Sequence, residues 1–65
     1  MNKSIEFSSI DRKHLFVINV DKVTIHRLKK DESFIYEALV TDTESIEINE
    51  DTFNRIREIK LSLGL

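Results

Sequence analysis

The chain predicts an α+β fold, an antiparallel meander sheet of four or five strands packed by one C-terminal α-helix. Three observations lead there. Short segments alternate apolar and polar residues with period 2, as half-buried strands do. Polar clusters separate them at distances that suit hairpins rather than crossovers. At Asn49 the period changes: Phe53, Ile56, Ile59 and Leu63 fall on one face at helical spacing.

Ile5 and Phe7 alternate with Ser4 and Glu6, which predicts a short first strand. Ser8 to Lys13 reads as a loop. His14 to Val20 reads as a strand with Phe16, Ile18 and Val20 on one face and Leu15 and Val17 on the other. A strand that is apolar on both faces needs cover on both. Val23 and Ile25 open a third strand running to Lys29, and Leu28 breaks its alternation, so a bulge or strand end is expected near Arg27.

The link Asn19-Val20-Asp21-Lys22 lacks the Asn-Gly or Asp-Gly signal of a two-residue hairpin. Both a turn and one long bent strand fit it. Lys30-Asp31-Glu32-Ser33 is a better turn. Phe34 to Val40 follows as a strand, with Phe34, Tyr36, Ala38 and Val40 on one face and Ile35 and Leu39 on the other. Thr41 to Glu44 suits a hairpin loop into the strand of Ile46 and Ile48. Asn49 is placed as helix N-cap, and Glu50 and Asp51 favour the positive end of the helix dipole. Ile48 and Phe53 hold the two positions of a hydrophobic staple. Gly64, the only glycine, stands where a left-handed stop is wanted.

Sixty-five residues form a single domain, 1–65, with a modest core. Cysteine is absent, which removes disulfides and thiolate metal sites. The two histidines, His14 and His26, match no zinc spacing. No metal or other cofactor is expected. Oligomerisation is the remaining support for so small a chain, and a homodimer is expected. No apolar run approaches a membrane span, and no basic segment leads into an apolar one at the N-terminus. Together with the lack of cysteine, this predicts a cytoplasmic protein with no membrane partner.

Net charge is −2, but residues 1–30 carry seven Lys/Arg against three Asp/Glu, and residues 31–65 carry three against nine. Two surfaces follow from that asymmetry. If the second and third strands pair near Asp21, Arg12, Lys13, Arg27, Lys29 and Lys30 share one sheet end. There they could contact phosphates, with Phe34 or Tyr36 available to stack on a base. The competing reading is a solvated strand end neutralised by Asp31, Glu32, Glu50 and Asp51. An acidic strip of Glu37, Asp42, Glu44, Glu47, Glu50 and Asp51 could dock on a basic surface, or simply face solvent. Asp42 and Glu44 lack the glycine turn and downstream glutamate of a calcium loop. No nucleophile elbow, phosphate loop or metal-histidine helix is present, so no catalytic residue and no enzymatic activity is expected.

The segments DKVTI and SIEINEDTFNRI, within the stretch from Asp21 to Ile59, resemble a strand and a strand-to-helix junction of the carbon storage regulators. These are small translational repressors of five strands and a helix, dimeric through exchanged strands. The resemblance implies a similar element order and a dimer. It does not extend to the RNA site. The family's arginine after the last strand is matched here by Glu50, and Ser8, Ser9 and Ile10 stand where its first strand is basic. Its loop glycines and proline have no counterpart.

The reading that results is a small non-catalytic regulatory or adaptor module. It binds a protein partner and self-associates through the extra apolar positions Leu15, Val17, Ile35 and Leu39. The runner-up is a nucleic-acid-binding regulator that uses the basic strand end.

Overall fold

The computed structural model describes residues 3–64. Its element order is β1 (Ser4–Ser8), β2 (Leu15–Asn19), a 3-10 turn (Val20–Lys22), β3 (Thr24–Lys30), β4 (Ser33–Leu39), β5 (Ser45–Ile48) and α1 (Glu50–Ser62). The fold is α+β, and the strands are antiparallel throughout. They form two sheets rather than one meander: β1 pairs with β2, and β3, β4 and β5 form a separate three-stranded sheet in that order.

The division lies at the link whose turn chemistry was weakest. Val20 opens the 3-10 turn and Val23 follows it, and they are 1% and 0% exposed. Burying both valines turns the chain inward, so β3 leaves in a new direction instead of folding back on β2. Neither a hairpin near Asp21 nor one long bent strand from His14 to Lys29 is formed.

The other turns form where expected. Asp31 and Glu32 make a two-residue loop, with Asp31 at φ 56°. Such loops require a positive φ, which aspartate tolerates better than most residues. In the β1–β2 loop the Arg12 N–H donates to the Ser9 carbonyl at 2.9 Å, and Arg12 adopts φ 62°. Ser9 is buried there. Its hydroxyl donates to Asp11 Oδ1 at 2.5 Å and accepts the His14 N–H at 3.3 Å.

The bulge expected near Arg27 is absent. The β3–β4 register runs unbroken from Thr24 opposite Leu39 to Lys30 opposite Ser33. Leu28 does not break the strand because Ile35 lies directly opposite it on the outer face, and the two side chains form a cross-strand apolar pair.

Helix α1 ends as the sequence requires. Asn49 Oδ1 accepts the Thr52 N–H at 2.8 Å. Ile48 and Phe53, the staple pair, are both buried. Gly64 takes φ 75° just past the end. Phe53 and Ile56 enter the core, Ile59 packs against it, and Leu63 remains on the rim at 36% exposed.

One core joins all of this: Ile5, Phe7, Val20, Val23, Ala38, Ile48, Phe53 and Ile56. The β1–β2 hairpin supplies its inner face, the three-stranded sheet supplies Ala38 and Ile48, and the helix closes over them. Two polar ties hold the hairpin in place. The Ile10 N–H donates to the Glu47 carbonyl at 2.9 Å, and Arg55 Nη2 donates to the Glu6 carbonyl at 2.6 Å.

Candidate functional site

The apolar residues expected at an interface lie on two outer faces. On the β1–β2 hairpin, Ile5 and Phe7 point inward, and their partners Ile18 and Phe16 pack beside them. Alternation then turns Leu15 and Val17 outward, where they are 65% and 64% exposed. Ile35 and Leu39 lie on the outer face of the other sheet and are half-buried, next to Leu28 at 46%. Leu15 and Val17 therefore make one exposed apolar pair, and Leu28 and Ile35 make a second on a different sheet, separated from Leu39 by Glu37 and His26.

The basic residues divide as well. Arg12 and Lys13 sit in the β1–β2 loop, and the Ile10 tie to Glu47 places that loop beside β5. β3 forms the opposite edge of the three-stranded sheet. At about 4.8 Å per strand spacing, Ile10 lies roughly 14 Å from β3 across the sheet. The two groups do not form one patch. In the loop, the Asp11 carboxyl is held below its ordinary value by the Ser9 hydroxyl first and the Lys13 N–H second.

On β3 the alternation separates neighbours. Lys30 points to the outer face with His26 and Leu28. Arg27 and Lys29 point to the helix side, directly across from Tyr36 and Phe34. The Arg27 guanidinium lies 5.0 Å from the centroid of the Phe34 ring, and Phe34 is 49% exposed. The Tyr36 ring tilts against Phe53 with centroids 4.9 Å apart. The Arg57 guanidinium stands 6.0 Å from the Phe53 centroid. Glu50 returns to this end as the pairing of β5 with β4 requires, and its Oε2 accepts the Tyr36 hydroxyl at 3.0 Å. Burial, then the bond to Glu50, raises the Tyr36 phenol above its ordinary value, against the opposing charges of Arg27 and Arg57.

Arg57 and Phe53 were not foreseen as part of this face. Their i, i+4 spacing puts them on one helix surface. Nothing in the sequence indicates that this surface meets Tyr36, because that depends on how the helix lies on the sheet.

The acidic residues do not form a strip. Glu37 and Glu47 face each other across β4 and β5 on the outer side. Asp42 and Glu44 lie in the β4–β5 loop, where the Thr41 hydroxyl accepts the Glu44 N–H at 3.0 Å. Glu50 and Asp51 begin the helix. Among the described residues no group of three or more His, Asp or Glu side chains could hold a metal ion. Among them, too, no helix is long and apolar enough to cross a membrane. An open cleft of about 560 Å³ lies between Lys22, Thr24, Leu39, Val40, Thr41 and Asp42.

No family model matches this chain, and no curated protein or solved structure proves similar to it. None of these comparisons supports the likeness to the carbon storage regulators.

Proposed function

We propose that this protein is a small non-catalytic binding module that acts as a homodimer and regulates or scaffolds a protein partner. The observation that carries the reading is the outward pair Leu15 and Val17, 65% and 64% exposed on adjacent same-face positions of β2. Two large aliphatic side chains held side by side on a rigid hairpin gain by leaving water, at about 25 cal/mol per Å² of apolar surface buried.

The test is mass by light scattering after gel filtration. A dimer at micromolar concentration is expected, and its stability should change little with salt because the contact is apolar. Leu15→Glu together with Val17→Glu should give a folded monomer. A monomer mass for the parent chain at every concentration would overturn the reading, as would a double variant that remains dimeric.

A further inference from the structure

The helix-side face of the β3–β4 hairpin is a separate surface with its own chemistry. From it, we infer that the chain binds single-stranded nucleic acid, with Phe34 as the stacking platform. Phe34 is a large aromatic left half exposed on a rigid strand, and a guanidinium already lies over its ring, at 5.0 Å. Lys29 stands directly opposite Phe34, and Arg27 directly opposite Tyr36. Arg57 brings a third cation from the helix. Arginine and aromatic planes are the groups on which unpaired bases stack, and the same cations can meet the phosphates between them.

Stacking itself selects single strands over duplex. The Tyr36 ring is held against Phe53, with centroids 4.9 Å apart, whereas Phe34 is 49% exposed and open to a base. A base that stacks on Phe34 must leave the stack of its own strand, which a paired duplex does not permit.

The charge balance acts in the same direction. Asp31 and Glu32 occupy the adjoining turn, and Glu50 lies beside Tyr36. These carboxylates offset much of the positive charge at this end, so attraction to a polyanion is weak without stacking. The second carboxylate-rich element nearby, the start of α1 with Asp51, adds to that effect. A duplex offers only its charged backbone here. A single strand also offers the faces of its bases.

The experiment is fluorescence anisotropy on the full chain with labelled oligo(dT) and oligo(U) of about ten nucleotides, a length within the range one small domain covers. A duplex of similar length is the control. Both single strands, or either one, should bind more tightly than the duplex. Phe34→Leu keeps the apolar bulk and removes the π face, and should weaken binding by roughly tenfold, in line with the loss of one stacked base. Arg27→Gln should reduce the slope of log affinity against log salt by about 0.7, the value for one phosphate contact on a single strand. Because Phe34 is half exposed, the Leu variant is expected to melt near the parent.

Three results would overturn the inference: no binding of either strand at about 100 µM, the weak end of non-specific association; a duplex bound as well as the single strands; or a Phe34→Leu variant of parental affinity. If Phe34→Leu instead converts a dimer to a monomer, the face joins two copies of the chain and the inference falls. A Leu15→Ser and Val17→Ser double variant, which removes the apolar pair without adding charge, lies on the other sheet and should bind the oligonucleotides as the parent does. Loss of self-association can therefore be told apart from loss of this site.

Discussion

Tyr36 joins β3, β5 and α1 on the candidate face. It stands between Arg27 on β3 and Ile48 on β5, its ring meets Phe53 of the helix, and its hydroxyl binds Glu50. Removal from water comes first among the causes that raise its pKa, and the Glu50 carboxylate adds to it. A raised pKa means that the folded state holds the phenol proton more tightly than the unfolded chain. The resulting stability is complete below the ordinary value of 10.0 and is lost as pH rises through the folded value. Tyr36→Phe cannot titrate, so its melting temperature should fall less steeply above pH 10 than that of the parent. Thermal melts of both proteins across that range check the sign. An equal slope for the two would show that Tyr36 does not titrate in the folded state as described.

The elements differ in how much of their stability is local. Helix α1 carries its own start signal, since Asn49 accepts the Thr52 N–H and Ile48 staples to Phe53. Asn49→Ala should cost about 1 kcal/mol by leaving that N–H without its side-chain acceptor. Asn49→Asp should restore most of it, and urea melts of the three proteins measure the order. β3 is protected differently. It is an edge of the three-stranded sheet and bears His26, Arg27, Lys29 and Lys30. Charged side chains on an edge oppose pairing with another strand. The basic run thus has a structural role in keeping the edge free, which is compatible with a ligand on the face beside it. It also argues against a dimer built by extending this sheet at β3, and leaves the hairpin pair Leu15 and Val17 as the contact proposed between copies.

At the level of the fold, two sheets and one helix share a single core, so damage at the helix reaches all of them. Phe53 is 8% exposed, and Ile56 is fully buried between the elements. Phe53→Ala should cost roughly 3–5 kcal/mol and Ile56→Ala about 2–5 kcal/mol. A domain of this length has only about 3–10 kcal/mol of stability. Both variants should therefore melt far below the parent, and Phe53→Ala should also release the Tyr36 ring. A Phe53→Ala protein with a near-parental melting temperature would show that the helix does not close the core as described.

The elements and their ends were legible because their causes are local. Period-2 runs mark β1, β2, β4 and β5. Asn49 and Gly64 mark the ends of α1, and Asp31-Glu32 marks the tight turn. The exposed candidates Leu15 and Val17 were legible for the same reason, since alternation alone sets them opposite Phe16 and Ile18. Leu28 misled because an outward leucine on a one-sided strand looks like a break, and only its partner Ile35 explains it. The separation into two sheets was not legible. No turn motif announces the corner at Val20–Lys22; it forms because Val20 and Val23 find room in a core assembled from distant segments. That corner separates Arg12 and Lys13 from Arg27 and Lys29. The lie of the helix adds Phe53 and Arg57 to the face of Phe34 and Tyr36. Side-chain chemistry and local spacing belong to the chain itself, but which side chains become neighbours depends on long-range burial, and burial has no signature in any one segment.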